Sequence, residues 1–314
     1  MRCAACHSDA AMAPPVTQIL TFSDESIARA AELIRAGEPV AMPTETVYGL
    51  AADATNAEAV ARIYEAKGRP SFNPLIVHVL DLAEAKRLGD FDDTARALAE
   101  SHWPGPLTLV VPAKAESGIA ALVTAGLDTI AIRVPAHPAM RALLKAAGRP
   151  LAAPSANASG RISPTRAEHV AQTLEGRIKL VVDGGPSERG IESTIVATTG
   201  GGLRLLRRGP IAIDAPEASG TIEAPGMMAS HYAPRKPLRL DAESAEPDEI
   251  LIGYGPVAGD LYLGDDPVTA ASRLFELMHQ ADAAPEARIA VAPIPDQGLG
   301  AAINDRLRRA AAPR

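Results

Sequence analysis

Thr44-Glu45-Thr46 sets a carboxylate between two hydroxyls, and one helix later the chain carries Lys67-Gly68-Arg69-Pro70 and then Asn73-Pro74. Hydroxyls at the end of the apolar run 39–43 and a Lys-x-Arg pair can converge on one anion, with arginine offering a planar fork and lysine a point charge. A phosphate or a carboxylate is the ligand that such a set suits. On these residues alone, a solvated turn followed by surface cations is an equal alternative, because short motifs recur by chance.

Other polar side chains stand where strands end. Thr129-Ile130-Ala131-Ile132-Arg133 alternates with period two, so Thr129 and Arg133 share one face. An arginine at a strand end can hold a carboxylate through two parallel hydrogen bonds, or it can form a surface salt bridge. Ala153-Pro154-Ser155-Ala156-Asn157-Ala158-Ser159-Gly160 is built of small residues that admit a ligand close to the backbone, while Ser155, Asn157 and Ser159 offer hydrogen bonds. Two strands, 192–196 and 203–206, read as a hairpin around Gly200-Gly201-Gly202 and bring Ser193 and Arg207 to one end. His78 lies in the apolar strand 75–80, where a lone histidine is more often a satisfied core residue than a ligand group. Tyr232 follows a segment rich in Pro, Ala and Gly, and suits either stacking on a nucleotide or packing a hinge.

The segment from Pro43 to Leu50, Lys67-Gly68-Arg69-Pro70, Asn73-Pro74-Leu75-Ile76-Val77-His78 and the Pro-Ser-Ala-Asn run with its following Ser-Gly resemble the signatures of the YrdC-like threonylcarbamoyl-AMP synthases. The similarity is to the longer form with a C-terminal extension and continues at intervals to about residue 310. It implies an L-threonylcarbamoyladenylate synthase, a nucleotidyltransferase that condenses L-threonine, bicarbonate or CO2, and ATP, and releases pyrophosphate. The product would serve N6-threonylcarbamoyladenosine formation in tRNA through a downstream threonylcarbamoyl transferase complex. The resemblance implies catalytic roles for Lys67 and Arg69. It implies ATP contacts from Arg69, Asn73, Thr129, Ser155, Asn157, Ser163, Arg207 and Tyr232, and L-threonine contacts from Thr46, His78, Arg133, Ala153 and Ser193. Mg2+ would come with the ATP, without a dedicated protein metal site.

The elements that must position these residues read as α/β. Expected helices cover 24–36, a stretch capped by Thr55 or Asn56 that delivers Lys67 and Arg69 to its C-terminal end, 92–101 and 138–147, with another opened by Ser163-Pro164-Thr165 with a hydroxyl as cap, and expected strands fall between them. The hairpin requires antiparallel pairing within an otherwise alternating pattern, so the sheet should be mixed. The resemblance makes it a YrdC-like twisted mixed sheet with a large cavity, followed by a smaller, Rossmann-like α/β domain. The expected division is a tail over 1–16, the catalytic domain over 17–212, a linker over 213–234 and the extension over 235–314. The final helix ends in Arg306, Arg308 and Arg309, read as a solvated helix end.

Composition narrows the alternatives. With 47% hydrophobic and 22% charged residues among 314, the chain has an ordinary globular balance. Its net charge of −7 argues against broad nucleic-acid coating, though an RNA-binding module with a local basic groove is an alternative function. Neither G-x-G-x-x-G nor a Walker A run occurs, so the two commonest nucleotide-binding loops are excluded. A multi-zinc carbamoyl-transfer factor of related fold needs more than the two cysteines present. Those two lie in Cys3-Ala4-Ala5-Cys6-His7, which matches a haem-attachment pattern but reads as a loose tail. No apolar run reaches membrane-spanning length and no export signal is seen, so the expected location is the cytoplasm, away from membranes.

Overall fold

Strands buried at successive positions, and helices with apolar residues at helical spacing, close two layers over a central sheet. The computed structural model describes residues 16–218 and 223–313, so Cys3, Cys6 and His7 lie outside the described residues. In chain order the first part comprises β1 (Gln18–Thr21), α1 (Asp24–Arg35), β2 (Val40–Met42), β3 (Gly49–Asp53), α2 (Ala57–Lys67), β4 (Ile76–His78), α3 (Leu82–Leu88), α4 (Asp93–His102), β5 (Leu107–Pro112), α5 (Ala121–Thr124), β6 (Thr129–Arg133), α6 (Pro138–Ala147), β7 (Leu151–Ala152), α7 (Ala167–Leu174), β8 (Leu180–Asp183), β9 (Thr194–Ala197) and β10 (Arg204–Arg207). The second part comprises β11 (Leu238–Arg239), β12 (Glu249–Gly253), β13 (Leu261–Tyr262), α8 (Pro267–Ala283), β14 (Arg288–Val291) and α9 (Leu299–Ala311).

The first ten strands form one sheet in the order β1-β8-β2-β3-β7-β4-β6-β5-β9-β10. Pairs such as β4 with β6 are parallel and others such as β9 with β10 antiparallel, giving the expected mixed sheet. One face packs Val40, Leu151 and Val182 against Ile27, Ile34 and Leu143 of α1 and α6. The other packs Leu50, Leu107 and Val181 against Ile63 and Val170 of α2 and α7. The last four strands run parallel in the order β11-β14-β12-β13, the Rossmann-like arrangement expected.

Local signals explain how residues reach the site. Asn56 caps α2 by accepting from the amides of Glu58 and Ala59 at 3.0 and 3.2 Å. Gly68 ends the same helix at φ 59, a conformation glycine adopts freely, and so stops it between Lys67 and Arg69. Three readings are corrected here. The strand at 75–80 is shorter, at Ile76–His78. No hydroxyl caps α7: Arg166 stands at its N-cap, while the Thr165 hydroxyl lies 3.3 Å from His169 Nδ1. The edge strand β1 and the short α3 add to the expected elements; β1 is exposed at every position and carries no burial alternation to read.

The two parts share a core in which Val47, Ile162, Ile191 and Tyr232 join Leu274, Phe275 and Met278 of α8. Gly190, at φ 68, approaches α8 so closely that a Cβ would stand 2.4 Å from Ser272 O. Beside it His169 and His279 stack, with ring centroids 3.9 Å apart and planes 18° from parallel. His279 Nε2 donates to Ser163 O at 3.2 Å, its Nδ1 faces the Gln172 amide at 3.1 Å, and His169 Nε2 lies 3.8 Å from Glu276.

Burial, and then the His169 charge, push His279 down to about 3. Burial lowers His169 as well, against the pull of Glu276. A histidine whose folded pKa is depressed contributes stability that is complete above its unfolded value of about 6.5 and is lost as the pH falls toward the folded value. Melting temperature should therefore drop between pH 7 and pH 5, with His279 alone contributing up to about 1.4 kcal/mol per pH unit. His279→Gln should shrink that drop; a drop of unchanged size excludes His279 as its source.

Candidate functional site

The site grows from the loop between β2 and β3. Thr44 Oγ1 donates to Val47 O at 2.6 Å and accepts from the Thr46 amide at 3.2 Å, which fixes the turn. Glu45 and Thr46 then reach Arg133 at the end of β6. Arg133 donates from Nη2 to Glu45 Oε1 at 2.6 Å, from Nη1 to Thr46 Oγ1 at 2.9 Å and from Nε to Gly105 O at 3.3 Å. Both charges are buried, at 4% and 5% exposure, so the surface salt bridge is excluded for Arg133. Burial alone would raise the Glu45 carboxyl; the charge and hydrogen bond of Arg133 overcome it and hold the group below its ordinary value.

His78 stands beside Arg133 because β4 and β6 pair His78 with Arg133 in register. Burial, reinforced by Arg133, pushes it down to about 3, so the ring is neutral at pH 7, and its buried Nδ1 has no partner among the described residues. A buried polar atom left alone costs about 1–3 kcal/mol, which a ligand group can recover.

Two further arginines face the same recess. Arg69, just past α2, donates from Nε to Asn73 O at 3.1 Å and from Nη2 to Pro74 O at 2.8 Å. Burial draws its pKa down to about 10, so it stays charged. Arg207, carried on β10 where the pairing with β9 slips between Leu205 and Arg207, donates to Ser193 O and Ser193 Oγ at 3.0 Å each. Ser193 Oγ also lies 2.8 Å from Thr108 Oγ1. His231 is held neutral by burial and then by Arg69, Lys67, Arg207 and Arg306, which reports the positive field of the recess.

Nine of the expected residues thus line one recess: Thr46, Arg69, His78, Arg133, Ala153, Ser155, Ser193, Arg207 and Tyr232. The expected large cavity has about 50 Å³ of free space, and Pro225, Gly226, His231 and Tyr232 are among the residues that line it. At Gly226, φ 88, a Cβ would stand 2.8 Å from the Tyr232 hydroxyl.

Five expected residues stand behind or beside the lining. Lys67 donates to the carbonyls of Ser155, at 2.5 Å, and Asn157, so its ammonium is engaged by the loop. Asn157 is anchored by its amide to Ala158 O and Arg161 O, both at 2.9 Å. Asn73 Nδ2 reaches Met228 Sδ at 3.4 Å, and Ser163 Oγ donates to Glu192 Oε1 at 2.5 Å. Thr129 shares the face of Arg133 but pairs with Pro112 at the other end of β6. Four residues of strand separate them by ~13 Å, beyond the recess.

The sequence reading assigned no role to Glu45, Glu192 or His231, all of which meet the site. It also took Arg306 for part of a solvated helix end, whereas Arg306 is fully buried with Nε 3.0 Å from Glu192 Oε2. Arg308, at 60% side-chain exposure, fits that reading. The signal available for Arg306 was its position one helical turn from Ala302 and Ile303 on the apolar side of α9.

The family model described as telomere recombination matches residues 32–209, and the one described as threonylcarbamoyl-AMP synthase, C-terminal domain, matches residues 191–312. The chain is 42% identical to the threonylcarbamoyl-AMP synthase of Bacillus subtilis, over 94% of this chain and 96% of that protein. It is 40% identical to the enzyme of that name from Pyrococcus abyssi, over 90% and 92%. The crystal structure of P. abyssi Sua5 complexed with L-threonine superposes with a TM-score of 0.85 at 36% identity, covering 94% of this chain and 97% of that one. E. coli YciO, at 23% identity and a TM-score of 0.55, shares the fold of the larger sheet domain. With family models spanning both sheets and relatives matched over nearly their whole length, the chain belongs to the threonylcarbamoyl-AMP synthase family in its two-domain form.

Proposed function

We propose that this protein makes L-threonylcarbamoyladenylate and pyrophosphate from L-threonine, bicarbonate or CO2, and ATP. The observation that carries the reading is the buried Glu45–Arg133–Thr46 clamp beside neutral His78, in one recess with Arg69 and Arg207. Arg133 keeps an unused N–H on each terminal nitrogen, suited to the threonine carboxylate, and His78 Nδ1 can accept from the threonine amine. The amine captures CO2 as a carbamate; a carbamate oxygen then attacks the α-phosphorus, and the bond to the leaving pyrophosphate breaks. Such chemistry is carried by positioning and charge neutralisation rather than by a strong protein base. Arg69, Arg207, Ser155 and Tyr232 would meet the nucleotide, and Thr46, Ala153 and Ser193 the threonine. Lys67 and Asn157 act through the loop they brace, Asn73 and Ser163 from behind it, and Thr129 from outside the recess.

A resident divalent metal does not fit the donors present. Among the described residues no group of three His, Cys, Asp or Glu gathers, and Glu45 and Glu192 are both paired with arginines. Mg2+ would thus enter as part of the MgATP substrate, on its phosphates. Ligand pockets of this kind hold some hundreds of Å³, so in this reading the recess widens as ATP enters, and the lining segment that holds Pro225, Gly226, His231 and Tyr232 would be the part to move. In this reading residues 17–212 form the catalytic domain, 213–234 a linker and 235–314 the extension. Among the described residues no helix is long and apolar enough to cross a membrane. The product is a mixed anhydride to be consumed by a threonylcarbamoyl transferase acting on tRNA, in the cytoplasm.

The test is pyrophosphate release from ATP with bicarbonate present, comparing L-threonine, L-serine and no amino acid. Release should require threonine; release indifferent to the amino acid, or none in folded protein, contradicts the reading.

A further inference from the structure

A carboxylate lines the recess with its counter-charge supplied from the far end of the chain. Glu192 Oε1 accepts from Ser163 Oγ at 2.5 Å, and Glu192 Oε2 accepts from Arg306 Nε at 3.0 Å. Arg306 sits on α9 of the C-terminal domain and is fully buried. Its Nη1 donates to Asp305 Oδ2 at 3.1 Å, its guanidinium carbon lies 5.5 Å from the centroid of the Tyr232 ring, and its Nη2 has no partner among the described residues. The Tyr232 ring also stacks on Phe275 of α8, at 5.6 Å between centroids and 30° between planes. Thus α8 and α9 build the wall behind Tyr232.

Buried charge explains the arrangement. An unpaired carboxylate at this depth is costly in itself, and in a low-dielectric site it repels an incoming anion. The lining arginines Arg69, Arg133 and Arg207 face Glu45 and Glu192, and Arg306 places one further positive charge directly on Glu192, while Asp305 beside it is shared with Arg309. MgATP carries net negative charge whereas L-threonine is a zwitterion, so losing Arg306 should penalise the nucleotide far more than the amino acid.

We infer that Arg306 is a positioning residue for nucleotide binding: it neutralises Glu192 and holds it on Ser163, and through it the C-terminal domain completes the electrostatics of the recess. This rests on the synthase reading above. A simple staple between domains uses the same ion pair but makes a different prediction, because a staple changes stability and leaves the balance between the two ligands untouched.

The experiment measures MgATP and L-threonine affinity by calorimetry, with thermal melts, for the full-length wild type, Arg306→Met, Glu192→Gln and the double variant. Arg306→Met should weaken MgATP binding at least about tenfold, as removal of one partner of a buried charge pair does, while threonine affinity stays within about twofold. The double variant should regain most of the MgATP affinity, since the neutral amide needs no counter-charge and still accepts from Ser163. Glu192→Gln alone should bind MgATP at least as well as wild type. That arm decides the matter even if Arg306→Met fails to fold. Unchanged MgATP affinity in Arg306→Met, no recovery in the double variant, or a tenfold loss in Glu192→Gln overturns the inference. A wild type that lacks threonine-dependent pyrophosphate release overturns the synthase reading instead, and the two failures are read from different samples.

Discussion

Arg69→Ala should lower threonine-dependent pyrophosphate release by about 100- to 1000-fold, the usual cost of removing one preorganised donor from developing charge. The side chain is already fixed from below, since Nε and Nη2 are held by the carbonyls of Asn73 and Pro74. Its remaining edge therefore meets a ligand without further ordering. Stability should fall by no more than about 1–3 kcal/mol: Pro74 O loses its donor, and Asn73 O is left with the one Tyr64 hydroxyl proton that it shares with Leu122 O. Arg69→Lys should not rescue turnover, because an ammonium cannot serve both carbonyls and a phosphate in the planar geometry of a guanidinium. Steady-state pyrophosphate release alongside a thermal melt checks this, and turnover within tenfold of wild type would take Arg69 out of the site.

Arg133→Met should act on two readouts at once. L-threonine affinity should fall at least about 100-fold, because a bidentate charge-assisted contact is lost. Stability should fall by about 3–5 kcal/mol, because Glu45 is left as an unpaired buried carboxylate. Adding Glu45→Gln should restore most of the stability and none of the threonine affinity. Denaturant unfolding and calorimetric titration separate the two effects. Threonine affinity equal to wild type in Arg133→Met would refute the carboxylate assignment, whatever happens to stability.

The fold was largely legible from the chain. Asn56 and Gly68 bracket α2 as their types require, and the glycine run at 200–202 marks the β9–β10 turn. Strand register could not be read, and register is what places His78 beside Arg133. The same limit explains Thr129: period two gives its face but not which end of the strand the recess adjoins. The motif gives both Lys67 and Arg69 a catalytic role and does not show which of them lines the recess. Gly68 reverses the chain between them, so Lys67 braces the 155–157 loop and Arg69 lines the recess. Arg306 was misread because a terminal helix with three arginines suggests solvent, and its partner Glu192 lies 114 residues away.

In the proposed reaction one recess joins threonine, inorganic carbon and adenylate. Incubating the protein with ATP, Mg2+, L-threonine and ¹³C-bicarbonate, and resolving the adenylates by mass spectrometry, tests it directly. The predicted result is a threonine-dependent adenylate that carries the ¹³C carbon and appears in step with pyrophosphate. An adenylate of threonine without the label, formed equally well in CO2-depleted buffer, would contradict the claim.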